Sequence, residues 1–299
     1  MSAYRTLEYA RTCAHLGSAR TLARSGVHVL VRPIEVPFAG ADACAPYPLL
    51  QTDRWFDLAA DLEEQGDLFS FVGVVDPLSA PLRGTLESVF PDHLVPFKQH
   101  QVAELAPHAP LAQVSPDHRR KIRSAARQVS AEVVASPVEH AAEWVRLYRT
   151  LQSRHGFTGA PDFGAEALSA QLALPGLLMV RAIKHGVTVS MSLWFVDGEQ
   201  AHYHLGASDA GGYAAHASYA TFALALETLA ARGVRTVDLG GAAGGRDADT
   251  GLARFKRGWA TGTRTAWLGG RVLDAAGVER LGGARGAYFP AYRQEQRAA

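Results

Sequence analysis

The sequence LLMVRAIKHGVTVSMSLWFVDGEQAHYHLGAS, which occupies residues 177–208, decides the fold. It contains three largely apolar runs, over 177–185, 187–196 and 200–207. His185-Gly186 and Asp197-Gly198 separate these runs, and short connections that contain glycine are typical of β-hairpins. The stretch therefore predicts three consecutive antiparallel strands.

The elements predicted after these strands extend the pattern. A helix is expected over 217–232, ended by Gly233, and a strand over 234–239. That strand opens into glycines at positions 240, 241, 244 and 245. A three-stranded meander, a loop, a long helix, a strand and a glycine-rich loop, in this order, resemble one half of a GNAT-type acyltransferase.

The first half of the chain shows a weaker alternation of helices and strands. Helices are predicted over 2–24 and 55–65, strands over 27–31 and 69–75, and a proline-rich loop from 33 to about 52. Ser115 and Pro116 predict the start of a helix over 117–128, which a strand over 131–135 and a helix over 138–151 follow. The expected fold class is therefore mixed α/β (α+β), with helices flanking the sheets.

The composition excludes several classes of protein. The 299 residues include 30 basic and 29 acidic side chains, and 47% are hydrophobic, which is unlike a disordered chain. No run approaches the ~20 apolar residues that span a membrane. Two cysteines, Cys13 and Cys44, are too few for a disulfide framework or a structural zinc site. Because the N-terminus has no apolar signal-peptide core, we expect a cytoplasmic protein with two free thiols.

The strongest chemical motif is Asp238-Leu239-Gly240-Gly241, followed by Gly251 and by Phe255-Lys256-Arg257-Gly258-Trp259. Glycines allow a ligand or another side chain to approach the backbone closely. A lysine between aromatic residues is partly desolvated, so its charge acts more strongly on an anion or a developing oxyanion. The alternative interpretation is that Phe255 and Trp259 are core residues while Lys256 extends into solvent.

Five segments together resemble the Fem family, which comprises the FemX, FemA and FemB aminoacyl-tRNA-dependent transferases. They are AHYHLGAS (201–208), DLGG (238–241), GLARFKRGW (251–259), the basic HRRKIRSA (118–125) and RHGF (154–157). The resemblance covers residues 115–270, and the N-terminal half is assigned by continuity. Leu205 and Ser218 depart from the family's pattern, and there is no heptad run for a coiled-coil arm.

The resemblance implies two GNAT-like domains, each a mixed sheet flanked by helices, with a cleft between them. The first, degenerate domain would be 1–128, with 273–299 added, and the catalytic domain 129–272. The implied reaction moves an aminoacyl group from aminoacyl-tRNA to an amine of a small-molecule or peptide acceptor. A natural product or a cell-wall precursor would be the product, and we expect no metal or redox cofactor.

The resemblance also implies roles for particular residues. Lys256 would stabilise the negative charge on the ester carbonyl or the departing ribose, and Phe255 would shape the pocket. Five residues are candidates for substrate binding: Arg154, Tyr203, His204, Tyr219 and Asp238. No general base is identified from the sequence: Asp238 and His204 are conceivable, and the acceptor's own carboxylate could serve. Five basic residues are candidates for tRNA binding: Arg119, Arg120, Lys121, Arg123 and Arg257, although a solvated helix would look similar.

Two alternatives stay open, and two metal sites are set aside. A GNAT acyltransferase would instead use acyl-coenzyme A or a carrier-protein thioester, but loop 208–216 lacks the usual glycine pattern and Asp209 would repel a diphosphate. A binding protein that has kept the fold and lost its chemistry is the second alternative. His202 and His204 share a strand face, yet hydrogen-bonded histidines fit them better than a metal site. Asp247 and Asp249 lack the glutamate of a calcium loop.

Overall fold

A computed structural model describes residues 2–35, 39–156, 158–242, 250–283 and 288–295. The strands described there are β1 (Ser18–Thr21), β2 (His28–Ile34), β3 (Gly40–Cys44), β4 (Ser70–Val75), β5 (His93–Glu104), β6 (Ser130–Val133), β7 (Leu177–Lys184), β8 (Val187–Asp197), β9 (Gln200–Ser208), β10 (Thr236–Gly240) and β11 (Gly262–Val272).

The α-helices of the described residues are α1 (Leu7–Thr12), α2 (Trp55–Glu63), α3 (Arg83–Val89), α4 (Pro116–Ala125), α5 (Ala141–His155), α6 (Ala165–Gln171), α7 (Ala210–Ala214), α8 (Ala217–Ala231), α9 (Gly251–Arg257), α10 (Ala275–Arg280) and α11 (Tyr292–Glu295). Single 3₁₀ turns lie at Ala3–Arg5 and Pro137–His140. None of these helices is long and apolar enough to cross a bilayer. Strands and helices alternate, so the predicted mixed α/β class is confirmed.

The chain divides into two compact units. The first contains Lys98–Arg264, and the second contains Tyr4–Phe97 and Thr265–Ala299. This division differs from the predicted boundary after residue 128. Helix α4 packs on α8 and the end of strand β5 pairs with β10, so residues 98–128 belong to the same unit as the glycine-rich strand.

In the first unit, the strand order is β5-β10-β9-β8-β7-β6. Strands β6 to β9 pair antiparallel, β10 lies parallel to β9, and β5 pairs antiparallel with β10. Helix α8 covers one face of this sheet. Its Phe222 and Leu226 form the core together with Trp194 of β8 and with Trp259. The predicted meander, its helix and the strand that follows are therefore confirmed.

In the second unit, the strand order is β1-β2-β3-β4-β11, and the β3–β4 pair is parallel. Helices α2 and α3 contact each other. Trp55, Leu58, Phe71 and Phe90 belong to the core. The two free cysteines are both buried.

Two expectations for this half are wrong. The helix predicted over 2–24 is short, because 18–21 instead pairs antiparallel with β2 as strand β1. The loop predicted over 33–52 contains strand β3, which forms because both β2 and β4 pair with it. Sheet pairing outweighs local propensity at both places.

A buried ion-pair cluster connects the last described helix to this sheet. Asp42 on β3 is fully buried and accepts hydrogen bonds from Arg32 at 2.7 Å and from Arg293 at 2.9 Å. The Tyr292 hydroxyl adds a bond of 3.1 Å to the same carboxylate. Two guanidinium groups therefore share one buried negative charge.

Replacing Asp42 with alanine is expected to lower the free energy of unfolding by about 3–5 kcal/mol, because both guanidinium groups would lose their buried partner. Glu87→Ala is the control, since it breaks an exposed pair with Arg83 on one helix face and should change that free energy by less than about 1 kcal/mol. Urea denaturation measures both, and equal effects would contradict the role of Asp42.

Candidate active site

Lys256 is the centre of the candidate site, and it is buried. Thr250 caps the start of helix α9, because its hydroxyl accepts a hydrogen bond from the Ala253 amide. The helix places Lys256 on its inner side, with 7% of the residue exposed. The Lys256 Nζ donates to the Gly241 carbonyl at 2.8 Å and lies 5.6 Å from the centroid of the Tyr203 ring. The lysine does not extend into solvent, which the alternative interpretation required.

Gly240, the last residue of strand β10, makes room for this ammonium group. Gly240 has φ = +78°, and a Cβ there would come within 2.9 Å of the Lys256 Nζ. Any other residue would be strained in this conformation and would push the amine away. Gly240 therefore lets the end of the strand accept the lysine.

Lys256 holds its proton less tightly than an ordinary lysine does. Burial lowers the pKa of Lys256 from its ordinary value of 10.5 to about 8, with Asp238 raising it and Lys98 lowering it further. At neutral pH the group is still mostly protonated, yet it releases its proton far more readily than a surface lysine. Such a group can both stabilise an anion and take part in proton transfer.

Asp238 lies beside this lysine on strand β10 and is buried. One carboxylate oxygen is 2.8 Å from the His100 Nδ1, and the other accepts the Gly240 amide at 2.7 Å. The carboxylate therefore also holds the backbone turn that meets Lys256. Asp238, one of the predicted binding residues, is placed at the site by the structure.

Two residues of strand β5 were missed in the sequence. His100 contacts Asp238, while the Lys98 Nζ donates to the Ala242 carbonyl at 3.1 Å. Burial also lowers the pKa of Lys98. The available signal was their spacing, because residues i and i+2 of a strand point to the same face.

An aromatic cluster surrounds the lysine's helix. Phe255 packs against Phe222 at 4.7 Å and against Tyr219 at 5.0 Å between ring centroids. Tyr203 packs against Trp194 and Phe222 at 4.9 and 4.7 Å. Phe255, Tyr203 and Tyr219 are therefore packed against the core of this unit, as the alternative interpretation expected for Phe255.

Two predicted substrate residues lie elsewhere in the unit. The His204 Nε2 is 3.2 Å from the Gln171 side chain on α6, and burial lowers the pKa of His204 to about 3. Its ring packs against Phe195 of β8 at 4.7 Å between centroids, so its contacts are with β8 and α6. Arg154 lies at the exposed end of α5, with its guanidinium 4.2 Å from the centroid of the Tyr213 ring. The structure therefore does not bring either residue to Lys256.

Of the five predicted tRNA-binding residues, three form hydrogen bonds or ion pairs at the start of α4, and the other two are described by their exposure. Arg119 donates to the Val114 and Ala112 carbonyls at 2.8 and 2.6 Å, and Asp117 pairs with both Arg120 and Lys121. Lys121 also donates to the Tyr219 hydroxyl at 3.2 Å. The side chains of Arg123 and Arg257 are exposed.

The loop before α8 forms hydrogen bonds of its own through Asp209. Asp209 caps the short helix α7: its carboxylate accepts the Gly212 amide at 2.9 Å and the Arg146 guanidinium at 3.2 Å. Phe157, Gly244, Gly245, Asp247 and Asp249, which also entered the sequence predictions, lie outside the described residues.

Comparison with protein-family models identifies part of the chain. Residues 116–257 match the model of the acetyltransferase (GNAT) domain. This range contains the meander, α8, β10 and Lys256. No curated protein matches the sequence.

Comparison with solved structures extends the likeness to most of the chain. The crystal structure of FemX matches with a TM-score of 0.66 and 14% identity, covering 92% of this chain and 93% of that chain. The C-terminal DUF2156 domain of an Agrobacterium fabrum protein, named as a lysylphosphatidylglycerol synthetase, matches with a TM-score of 0.62 at 13% identity, covering 93% and 89%. L-PGS from Bacillus licheniformis has a TM-score of 0.57 at 12% identity, covering 89% and 87%.

These findings define a protein of GNAT-related, acyltransferase-like fold. More particularly, the fold is Fem-like, as the sequence motifs predicted. At these identities the likeness concerns the fold.

Replacing Lys256 with methionine is expected to raise the free energy of unfolding at pH 7 by about 1–3 kcal/mol, because the penalty for burying a charge disappears. The pKa of Lys256 is lower in the folded protein than in the unfolded chain. Between pH 8 and 10.5 the unfolded chain therefore keeps this proton while the folded protein loses it. The wild type should therefore gain stability as pH rises through this window, and the difference from the variant should narrow.

Urea denaturation at several pH values measures this difference. Lys184→Met, at a half-exposed position, is the matched control and should change the free energy of unfolding by less than about 1 kcal/mol. This expectation is contradicted if Lys256→Met is less stable than the wild type at pH 7 and the difference in free energy of unfolding stays constant above pH 8. That result would show that the Lys256 ammonium group is not desolvated.

Proposed function

We propose that this protein is an aminoacyltransferase, which moves an aminoacyl group from aminoacyl-tRNA to the amine of a small-molecule or peptide acceptor. The observation that carries the proposal is the buried Lys256, which directly follows Phe255 within a Fem-like fold. A charged tRNA as donor would place the reaction in the cytoplasm. Metal and redox cofactors have no part in the proposed steps.

The proposed reaction needs positioning and charge stabilisation. The acceptor amine attacks the ester carbonyl, an amide C–N bond forms, and the C–O bond to the ribose breaks as the amine's proton passes to the ribose oxygen. An ammonium has three N–H donors, of which the Gly241 carbonyl takes one. In this proposal Lys256 directs another at the oxygen that becomes negatively charged. Its depressed pKa also suits it to deliver a proton to the departing oxygen.

The geometry of loop 208–216 favours this donor over coenzyme A. A diphosphate bound before a helix needs free backbone N–H groups and no negative charge beside them. Here the Asp209 carboxylate already accepts the Gly212 amide. A Cβ at position 212 would come within 2.2 Å of the Val189 carbonyl, so the backbone is packed closely against β8.

The exposed arginines Arg123 and Arg257 are the proposed contacts for tRNA phosphates. Arg120 can join them, because an exposed ion pair such as that with Asp117 contributes little and exchanges readily. Arg119 and Lys121 instead have structural contacts with the loop before α4 and with Tyr219.

Charged tRNA is expected to bind the purified protein, and acetyl-coenzyme A is not. Affinity for tRNA should fall about tenfold or more between 50 and 200 mM salt, because a few phosphate contacts release counterions. The double variant Arg123→Glu/Arg257→Glu should bind tRNA more weakly than the wild type does, and its affinity should depend less steeply on salt. Filter binding with an aminoacylated tRNA pool and calorimetry with acetyl-coenzyme A measure the two donors.

The matched control for this experiment is Arg232→Glu. Arg232 is exposed just beyond the end of α8, about 20 Å along that helix from the end near α4. It should leave tRNA binding unchanged. Binding of acetyl-coenzyme A alone would leave the GNAT-related fold in place and overturn the proposed donor.

Lys256→Ala is expected to reduce turnover by about 10²–10³-fold, the loss typical of removing one donor to an oxyanion. Arg254→Ala changes an exposed cation on the same helix and should retain activity within about threefold. Single-turnover transfer from charged tRNA measures both variants. Unchanged turnover in a folded Lys256→Ala variant would remove Lys256 from the mechanism.

A further inference from the structure

His118 is a buried histidine that contacts the helix carrying Lys256. It lies in the first turn of α4, where the Ser115 hydroxyl caps the helix by accepting the His118 amide. Its ring packs against Tyr219, Trp259 and Phe255 at 4.9, 5.2 and 5.7 Å between centroids. The imidazole is therefore held among three aromatic rings.

One ring nitrogen of His118 forms a hydrogen bond to the backbone of α9. The His118 Nε2 is 2.8 Å from the carbonyl oxygen of Phe255, the residue before Lys256. A carbonyl only accepts, so Nε2 carries the hydrogen and donates it. Burial lowers the pKa of His118, so the ring is neutral at neutral pH with its proton on this nitrogen.

A second contact joins the same two segments. The Ser115 amide donates to the Gly258 carbonyl at 2.9 Å. A Cβ at position 258 would come within 2.2 Å of the His118 ring, so glycine permits this close approach. The start of α4 thus holds the last turn of α9 on both sides of Lys256.

We propose that His118 is a positioning residue for Lys256, which orients the end of α9 through its hydrogen bond to the Phe255 carbonyl. With this bond, the helix turn directs the Lys256 side chain inward to the Gly241 carbonyl. Without it, the turn relaxes and water reaches the ammonium group. The importance of this role for catalysis rests on the proposed function, whereas the placement of Lys256 does not.

Two substitutions separate the hydrogen bond from ring packing. His118→Gln keeps an N–H donor near the position of Nε2 and loses the ring. His118→Phe keeps a ring among Tyr219, Phe255 and Trp259 and loses the donor. If His118→Phe does not fold, His118→Met replaces it as the variant without a donor.

The titration of Lys256 itself is the readout. The chain contains four lysines, at positions 98, 121, 184 and 256, so protein labelled with ¹³C at lysine Cε gives a small set of NMR signals. Lys256→Met assigns the signal of Lys256. In the wild type it should titrate at about pH 8. We expect the same midpoint in His118→Gln and a midpoint higher by about one unit or more in His118→Phe, because the amine becomes hydrated.

An unchanged midpoint in His118→Phe, with a shifted midpoint in His118→Gln, would show that packing alone matters and would overturn the proposal. Unchanged midpoints in both variants would overturn it as well. No substrate takes part in this titration. A failed transfer reaction would therefore count against the proposed function and leave the role of His118 untouched.

Discussion

A buried ammonium group is the constraint on which the rest of the site depends. Placing Lys256 inside the first unit requires a carbonyl acceptor at Gly241, a glycine with positive φ at position 240 and a carboxylate close by in Asp238. Each of these belongs to strand β10 or its continuation. Strand β10 in turn is held between β5 and β9, so the sheet determines where the lysine's charge is located.

The buried charge also explains why the end of helix α9 has so many contacts with its surroundings. Burying a charged amine opposes folding, and a short helix of seven residues cannot hold it alone. Phe255 and Trp259 anchor α9 in the core, while His118 and Ser115 bind its last turn from α4. A destabilising group supported by its surroundings in this way is typical of a functional site.

Much of this could be predicted from the sequence, where the signal is local. Glycines in short turns predicted the meander, and Ser115-Pro116 predicted the start of α4. The glycine-rich strand and the aromatic flanks indicated Lys256. Signals that depend on pairing were not readable: strand β3 needs both neighbours, and His100 reaches Asp238 across 138 positions of sequence. The neighbours of His204 were not readable either, because its contact with Gln171 joins residues 33 positions apart.

The most direct measurement is the mass of an amine acceptor after incubation with the protein and a donor. A panel of amino acids, small amines and short peptides is offered with an aminoacylated tRNA pool in one reaction and with acetyl-coenzyme A in another. A mass increase equal to one aminoacyl residue, present only with charged tRNA, is the result predicted here. An increase equal to one acetyl group, present only with acetyl-coenzyme A, would contradict the proposed donor.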